Sequence, residues 1–564
     1  MFLKFTFLAA FSVVAVLAQP VILPEKDGGG VFNAASLLYS DLPGGGIAQG
    51  AMFIVKGRNL GACQTTVMSS FPFSTSINGV SMAITVGGVT KSAIMYYVVT
   101  CIGGSTPDQL AAILPSSTPV GAGTITVTAG GQTSAPFPIN VVRSAPGIFT
   151  RSANGAGPAW VYNAVTYVPT TPTAPAHPGD YITAMGTGFG PVTYDETNPA
   201  PVDLNNLVPD LEVWVGGKKA QMTYNNRMST LAAVDQANFV VPAGVEGCYV
   251  PLVVKSGGKV SNFTTMAIAA QGNTCSDSVG PTADDFQRWA GKNSITVGGV
   301  DLSRQTNHIA LPPGTQLPPG FSLDSTTDSG DASFLRFDLS TLPNIPNPFN
   351  SLNFGVCQVM FFGPGSTSVD IPNIAYLDAG SAITVAGPKG TKQLTKTPPP
   401  PNYYSADLGG GSNPLGNPPL FLDAGSYTIS GPGGADIGSF STTYTIPAPL
   451  TWTNRDSITE VNRAQDLLIT WTGGDQTGYV MISGMSVGTN SGAMFVCTER
   501  ASAGRFSVPS VVLSAMPPSA SADGMPVGSL SVDGATQPKA ITPSGCDLCT
   551  VSHSAGSSTT VGYK

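Results

Sequence analysis

The sequence predicts an all-β protein made of antiparallel β-sandwich domains, and three observations support this prediction. Glycine and proline occupy 67 and 48 of the 564 positions, and both residue types disfavour the interior of a long helix. Short runs rich in β-branched residues alternate with tight glycine turns, which is the pattern of sandwich strands. Related segments also recur along the chain. At roughly 100 to 200 residues per domain, the length predicts three to five domains.

Composition and charge exclude several kinds of protein. Charged residues make up 10% of the chain and hydrophobic residues 42%, so a charge-rich disordered chain is excluded. The formal net charge is -8, and no run of lysine or arginine occurs. Nucleic acid and anionic membrane surfaces need such basic runs, so we expect neither as a partner.

The amino terminus has the three parts of a secretory signal peptide. Lys4 supplies the positive charge, a mostly apolar stretch covers 5–17, and small side chains precede Gln19. We expect cleavage after Ala18, with residues 19–28 as a linker. The alternative is a membrane anchor, but this stretch is shorter than the roughly 20 residues that a spanning helix needs. The sequence therefore predicts a secreted protein, extracellular or on the cell surface, without membrane insertion.

Eight cysteines remain after the predicted cleavage, and export makes disulfides their expected state. Their positions suggest one pair within each of two separate domains and leave four cysteines for the C-terminal half. Cys546 and Cys549 could instead bind zinc together with His553, or form a redox pair. A structural disulfide is the preferred interpretation, because no fourth zinc ligand stands nearby and no βαβ pattern surrounds the pair. The suggested pairs are Cys63–Cys101 and Cys248–Cys275, and the remaining cysteines are Cys357, Cys497, Cys546 and Cys549.

An internal repeat covers the first half of the chain. Residues 50–61 align with 179–190, with three glycines in register, and the Val-Gly-Gly sequence at 86–88 recurs at 215–217 with the same spacing. Each unit alternates strand-like runs with paired glycines at intervals of about 8 to 12 residues, as in a sandwich. We therefore predict two tandem immunoglobulin-like domains. Their predicted boundaries are 29–143 and 144–270.

The motifs of these two units carry a family resemblance. Phe-Asn-Ala-Ala-Ser at 32–36, Ser-Ala-Pro-Gly-Ile-Phe-Thr at 144–150 and Gly-Thr-Gly-Phe-Gly-Pro at 186–191 resemble an immunoglobulin-like repeat family, related to IPT/TIG domains, of secreted Acidobacteria proteins such as those of Solibacter. The resemblance covers about residues 30–270, and residues 448–564 are similar to the C-terminal regions that accompany this family. It implies the fold and an exported bacterial protein, and the family has no established catalytic residues to transfer.

The pattern changes after Cys275, where we place a linker and further β structure beyond it. Thr282 is placed to cap a short helix within the linker. Strand-like runs then recur to the end of the chain. Two further β domains are predicted, and a single composite β domain is the alternative. The predicted boundaries are 271–293 for the linker, 294–447 for the third domain and 448–564 for the fourth.

Sequence motifs for catalysis are missing. The three histidines lie in different predicted regions, and neither an HExxH zinc motif nor a GxSxG nucleophile motif occurs. We therefore predict no catalytic residues, no cofactor and a non-enzymatic protein. Asp324, Asp328 and Asp331 surround a glycine turn and are a weak candidate site for Ca²⁺, although their spacing does not fit an EF-hand. Solvated surface carboxylates are the alternative.

The tryptophans separate into two predicted groups. Trp214 and Trp471 lie in strand-like runs and are expected in the core. Trp160 and Trp289 are expected to be exposed, where an indole ring could stack against a ligand such as a sugar. These two are the predicted ligand-face aromatics.

Three classes of function are compatible with these features. The preferred one is a secreted, non-enzymatic protein for adhesion, surface attachment or spacing, whose partner is an extracellular polymer or a cell-surface component. The first alternative is an extracellular carbohydrate-binding protein, which requires a strip of coplanar exposed aromatic side chains on one sheet. The second is a secreted hydrolase with its site in 276–564, which requires paired carboxylates in a cleft. The sequence leaves the oligomeric state open.

Overall fold

The computed structural model describes residues 18–103, 106–202, 207–308, 324–340, 347–363, 374–411, 416–522 and 525–564. Within these ranges the protein is all-β, as predicted, and its α-helices are the short α1 (Ala283–Trp289) and α2 (Ser510–Leu513). In the same ranges no helix is long and apolar enough to cross a membrane. The predicted signal peptide falls almost wholly in residues 1–17, outside the described residues.

The first sandwich consists of two sheets. Its strands are β1 (Val21–Ile22), β2 (Gly30–Asn33), β3 (Ile47–Ala48), β4 (Met52–Arg58), β5 (Thr65–Val67), β6 (Ser76–Ile77), β7 (Val80–Val86), β8 (Val89–Ser92), β9 (Ile94–Val99), β10 (Asp108–Ile113), β11 (Gly121–Ala129), β12 (Gln132–Thr133) and β13 (Phe137–Val142). One sheet has the order β1-β4-β10-β9-β5, with β2 also paired to β4. The other has the order β3-β13-β11-β7-β6, with β8 on β7 and β12 on β11. The stretch expected as a linker supplies β1, which pairs with β4.

The second sandwich repeats this arrangement. Its strands are β14 (Gly147–Ile148), β15 (Gly157–Pro158), β16 (Val161–Asn163), β17 (Tyr181–Thr187), β18 (Glu212–Val215), β19 (Lys218–Lys219), β20 (Gln221–Arg227), β21 (Asp235–Val240), β22 (Gly247–Ser256), β23 (Lys259–Val260) and β24 (Thr264–Ile268). One sheet has the order β14-β17-β21-β20, with β16 on β17. The other has the order β15-β24-β22-β18-β19, with β23 on β22.

Paired glycines form the same hairpin in both sandwiches. Gly87 and Gly88 join β7 to β8 with φ of 57° and 81°, and Gly216 and Gly217 join β18 to β19 with φ of 55° and 77°. Positive φ at both central positions defines a type I′ turn, which suits the twist of paired strands and favours glycine. The repeated sequence motif therefore marks a repeated hairpin, and the two units are immunoglobulin-like sandwiches.

Each sandwich has its own core, built from the inward-facing residues of both sheets. In the first, alternate residues of β7 such as Met82 and Ile84 are buried. In the second, Ile182 and Ala184 of β17 and Phe239 of β21 are fully buried. Burial on every second residue is the pattern of strands that cover a core with one face.

The C-terminal half is built around one large sheet. Its strands, with those of three small sheets, are β25 (Ser294–His308), β26 (Asp324–Asp338), β27 (Val356–Phe362), β28 (Ala375–Tyr376), β29 (Ala382–Gly387), β30 (Gly390–Lys396), β31 (Tyr404–Gly411), β32 (Gly425–Gly431), β33 (Phe440–Ile446), β34 (Leu450–Trp452), β35 (Glu460–Val461), β36 (Leu467–Gly473), β37 (Tyr479–Val487), β38 (Gly492–Arg500), β39 (Arg505–Val508), β40 (Ser521–Ala522), β41 (Met525–Pro526), β42 (Gly528–Ala535), β43 (Lys539–Ile541), β44 (Leu548–Thr560) and β45 (Gly562–Tyr563).

This large sheet ties together the predicted units 294–447 and 448–564. Its order is β27-β38-β37-β42-β44-β25-β26-β31-β30-β29-β32-β33, with β28 on β26 and β43 on β44. The pair β25–β44 is parallel and joins strands from the two units along twelve residues. One core contains Val300 and Phe334, and the other contains Trp452, Trp471 and Phe495. The two units therefore share one sheet that carries two cores.

The short helix α1 lies in the predicted linker and begins after Thr282, as expected. Thr282 Oγ1 accepts a hydrogen bond from the backbone N–H of Asp285 at 3.3 Å, and the backbone N–H of Thr282 donates to the Asp285 carboxylate at 2.8 Å. This reciprocal capping box satisfies backbone donors that a helix start otherwise leaves unpaired.

All eight cysteines form disulfides. The two suggested pairs, Cys63–Cys101 and Cys248–Cys275, are formed. The other four form Cys357–Cys497 and Cys546–Cys549. Cys357–Cys497 joins directly opposed residues of β27 and β38, so it links the two units that share the large sheet. The C-terminal CxxC pair is a disulfide, so its two sulfurs are not free to bind zinc.

Polar contacts hold the sandwiches against one another. Thr187 Oγ1 of the second sandwich accepts from the backbone N–H of Met52 at 2.9 Å and donates to the carbonyl of Ala233 at 2.7 Å. The Asp41 carboxylate accepts from the backbone N–H groups of Asn490 at 2.9 Å and Ser491 at 3.1 Å. These contacts link the first sandwich to the second and to the large sheet.

Candidate functional site

The three carboxylates expected to surround a glycine turn lie instead along strand β26, because the glycine of this segment continues the strand. Asp328 is buried and accepts hydrogen bonds from Arg304 at 2.7 and 2.8 Å. Asp331 faces the other side of the sheet, and Asp324 contacts His308 at 2.8 Å. The strand therefore does not bring the proposed Ca²⁺ ligands together. Nowhere in the described ranges do three or more His, Cys, Asp or Glu side chains form a group that could hold a metal ion.

The expectation that Trp289 is exposed is wrong. Its side chain is buried, and its ring lies 5.5 Å from that of Phe286 and 5.4 Å from that of Phe349, measured between centroids. Trp160, in contrast, is 46% exposed, with an edge contact to Phe149. Of the two predicted ligand-face aromatics, only Trp160 is available to a ligand.

The tryptophans expected in the core behave differently from each other. Trp471 is buried, and its Nε1 donates to the carbonyl of Ala501 at 2.8 Å. Trp214 is half-buried against the same core, and its Nε1 donates to Glu212 at 3.0 Å. Neither indole ring exposes a whole face to solvent.

The position of His553 also does not suit metal binding. It is buried on β44, directly opposite Leu302 of β25. Burial, with a smaller contribution from Arg304, lowers the pKa of His553 to about 4. The ring is therefore neutral at physiological pH and is part of the interior of the large sheet.

Strand β17 turns aromatic and hydroxyl side chains away from the core of the second sandwich. Its core-facing residues are Ile182 and Ala184, so the alternation of side chains along a strand turns Tyr181 and Thr183 to the opposite face. Tyr181 is 51% exposed. This face of the sheet is where Trp160 is also found.

The neighbouring strand β16 extends the aromatic character of this face. Tyr162 lies directly opposite Thr183, and Trp160 is two residues earlier on the same side. Tyr167, in the segment that follows β16, is 75% exposed, and its ring centroid is 6.2 Å from that of Tyr162. Burial raises the pKa of Tyr162, a rise opposed by a hydrogen bond with Thr183 and favoured by the nearby Tyr167, so its hydroxyl keeps its proton at neutral pH.

Strands β21 and β20 complete the face with amide groups and a further ring. Asn238 lies opposite Thr183, and Tyr224 lies opposite Asn238. Asn238 Oδ1 accepts from Thr183 Oγ1 at 3.0 Å and from Gln236 Nε2 at 2.8 Å. These bonds hold the polar groups in place. We refer to this surface as the aromatic face, and its residues are Trp160, Tyr162, Tyr167, Tyr181, Thr183, Tyr224, Gln236 and Asn238.

The aromatic face can bind a neutral ligand that is both apolar and rich in hydroxyl groups. Its rings offer apolar surface, and its amides and hydroxyls can donate and accept hydrogen bonds. None of its side chains is a carboxylate, an amine, a guanidinium or an imidazole, so it offers no counter-charge to an anion. The arrangement suits recognition by stacking and hydrogen bonding and contains no group placed for acid–base chemistry.

A pair of carboxylates does occur elsewhere, on the large sheet. Asp301 of β25 lies directly opposite Asp331 of β26. Burial raises the pKa of Asp301, a rise opposed by a hydrogen bond from Ser552 and reinforced by Asp331. Because the alternate residues Val300 and Leu302 point into the core, this pair lies on the outer face of the sheet. That position differs from the cleft that the hydrolase alternative requires.

The chain is similar to several multidomain proteins of solved structure, at low identity. SGBP-B of the Bacteroides ovatus mixed-linkage glucan utilization locus, in complex with a mixed-linkage heptasaccharide, is 12% identical, with 64% of this chain and 76% of that chain covered and a TM-score of 0.15. The I9–I11 tandem from titin is 8% identical, with 71% and 93% covered and a TM-score of 0.12. An ICAM-5 D1–D4 ectodomain fragment is 10% identical, with 91% and 96% covered and a TM-score of 0.12.

No protein-family model and no curated protein matches the chain. Identities and TM-scores as low as those above carry no argument about function. The immunoglobulin-like assignment therefore rests on the two sandwiches themselves.

Proposed function

We propose that this protein is secreted, non-enzymatic and attached to an extracellular polysaccharide through the aromatic face. The observation that supports this proposal is the placement of Trp160, Tyr162 and Tyr181 on one face of one sheet. A strip of exposed aromatic side chains on a sheet is the feature that separates a carbohydrate-binding protein from a plain spacer. Adhesion or surface attachment would then be the consequence of polysaccharide binding.

The chemistry of the aromatic face matches that of a neutral sugar chain. A sugar ring has an apolar C–H face, which an exposed aromatic ring can cover, and a rim of hydroxyl groups. The half-buried amides of Gln236 and Asn238 can exchange hydrogen bonds with that rim, and the buried Thr183 hydroxyl holds Asn238 in place from below. The outer surface of a sheet is also open at both ends, which suits a polymer better than a small molecule.

The rest of the chain is suited to presenting this face outside the cell. Four disulfides are typical of an oxidising environment. Contacts such as Thr187 to Met52 keep neighbouring sandwiches in fixed orientation. Export with cleavage after Ala18, and membership of the Acidobacteria-type repeat family, remain predictions from the sequence.

The first experiment is a pull-down of the chain from Gln19 to Lys564 with a panel of soluble and insoluble polysaccharides, with and without Ca²⁺. Released reducing sugar is measured in the same supernatants. We expect retention on at least one neutral polysaccharide, no effect of Ca²⁺ removal and no release of reducing sugar. Release of sugar would contradict a non-enzymatic role, and retention by charged polymers alone, or by none, would contradict the proposed ligand class.

A further inference from the structure

A cleft of about 450 Å³ lies at the large sheet beside the core that contains Trp452, far along the chain from the aromatic face. β25 and β44 contribute Arg304, Thr306 and Ser557 to its lining. Strand β34 and the turn after it contribute Trp452 and Arg455. The volume falls within the range of about 300 to 1,000 Å³ that is usual for small-molecule sites. The cleft therefore has the size of a binding pocket, and its lining decides what it would bind.

Arg304 has a fixed orientation at one side of the cleft. Its Nε and Nη2 donate to the Asp328 carboxylate at 2.7 and 2.8 Å, and Nη2 also contacts Asp423 at 3.2 Å. Asp328 in turn accepts from the backbone N–H groups of Phe421 at 2.6 Å and Leu422 at 2.7 Å. A guanidinium group held at two of its nitrogens loses little further freedom when its remaining N–H groups bind a ligand.

Arg455 has more bonding capacity left than Arg304. Its Nε donates to Asp456 at 2.8 Å, and its Nη1 is 3.9 Å from Asp324, beyond hydrogen-bond distance. Within the described residues, its Nη1 and Nη2 make no hydrogen bond to a side chain or backbone group. The side chain is 21% exposed, so a ligand in the cleft would meet partly desolvated N–H donors.

The remaining lining adds what a polyhydroxylated ligand needs. Hydroxyl groups of Thr306, Thr453 and Ser557 can donate and accept, the Asp456 carboxylate can accept, and the Trp452 indole is apolar. The arginines are already balanced by neighbouring carboxylates, so the cleft does not favour an anion. We propose that this cleft is a second sugar site, which takes one or two residues of a neutral saccharide. This proposal rests on the proposed function and gives it a second point of attachment.

Two sites on one chain change the expected binding behaviour. A polysaccharide that reaches both sites binds more tightly than either site alone, because the second contact is intramolecular. A monosaccharide occupies one site at a time, so substitutions in one site leave binding at the other site measurable. A result in which the cleft does not bind sugar is therefore distinguishable from a result in which the aromatic face does not bind polysaccharide.

The test is saturation-transfer NMR of the full chain with the methyl glycosides of glucose, galactose, mannose and xylose, and with glucuronic acid. Arg455→Gln replaces the guanidinium and its fork of N–H donors with a shorter, uncharged amide, and Thr451→Trp places a large ring at an exposed position of the cleft lining. Arg505→Gln, on β39 and outside the cleft, is the matched control. Unchanged unfolding curves confirm that each variant is folded.

We expect at least one neutral glycoside to bind about tenfold more weakly to Arg455→Gln and to Thr451→Trp, and equally to Arg505→Gln. Trp160→Ala should leave this cleft-dependent signal intact while it weakens retention on polysaccharide. Binding of glucuronic acid alone, glycoside signals that are unchanged when either cleft substitution is added to Trp160→Ala, or no signal from any neutral glycoside would overturn the proposal. Loss of polysaccharide retention in Arg455→Gln but not in Trp160→Ala would instead contradict the proposal that the aromatic face binds polysaccharide.

Discussion

The disulfide between β27 and β38 should contribute most of the cross-link stabilisation of the large sheet. Cys357–Cys497 closes a sequence separation of 140 residues, whereas Cys546–Cys549 closes a separation of 3. The entropy lost by the unfolded chain on closing these loops corresponds to about 5 and about 1.5 kcal/mol. We therefore expect the double variant Cys357→Ala/Cys497→Ala to lose about 5 kcal/mol of unfolding free energy.

The matched control is Cys546→Ala/Cys549→Ala. Both variants remove two sulfurs and one bond, so the difference of about 3.5 kcal/mol between them isolates the effect of loop length. A disulfide acts on the unfolded state in this description, and the folded contacts of β27 and β38 remain in both variants.

Urea unfolding followed by tryptophan fluorescence provides the assay. Trp452 and Trp471 are buried in the core that β27 and β38 cover, so their emission reports on this part of the chain. Equal losses in the two variants, or a larger loss in the control, would refute the argument that the long loop dominates.

Three other predictions follow from buried groups. Burial raises the pKa of Asp533 to about 6, although a hydrogen bond from Ser531 opposes this rise. The native state therefore holds this proton more tightly than the unfolded state, in which the pKa has its ordinary value of 3.8. Stability of the wild type should therefore fall as pH rises from about 4 to about 6, and Asp533→Asn should gain up to about 3 kcal/mol above pH 6 and nothing below pH 4, measured by unfolding at each pH. Trp289→Ala should cost about 3 to 5 kcal/mol in urea unfolding, and Trp160→Ala less than about 0.5 kcal/mol; similar costs would contradict their different burial. Thr187→Val should leave the Met52 amide without its acceptor and speed its hydrogen exchange, with a cost of about 1 to 3 kcal/mol; an unchanged exchange rate would show that this contact does not hold the junction.

Local sequence signals predicted the repeated sandwiches well. The Gly87-Gly88 and Gly216-Gly217 pairs require positive φ at two successive positions, and that requirement is visible in sequence because few other residues meet it. The helix start at Thr282 was predictable for the same reason, since capping depends on residues only three positions apart.

Contacts between residues far apart in the sequence could not be predicted. Trp289 is buried by Phe349, which is sixty positions away in the sequence. No local sequence pattern predicts that contact. The pairing of Cys357 with Cys497 likewise depends on the neighbour relation of β27 and β38. The two predicted units that meet at residue 448 share one sheet, and this too depends on strand order, which local sequence does not reveal.

The aromatic face was only partly predictable. Trp160 was identified from its residue type, whereas Tyr162 and Tyr181 were missed. The apolar residues Ile182 and Ala184 form an alternating pattern with Tyr181, and that pattern could have indicated an outward-facing ring. The meeting of β16, β17 and β21 on one face could not be inferred, because it depends on strand order and register.

The most direct test of the central claim is the binding isotherm of the double variant Trp160→Ala/Tyr181→Ala on the polysaccharide that retains the wild type. Met360→Ala, an equally exposed apolar residue on the large sheet, is the control. If the aromatic face binds the polymer, the double variant should have a Kd at least about tenfold higher, and the control should match the wild type. Wild-type affinity in a folded double variant would contradict the assignment of the aromatic face as the binding surface.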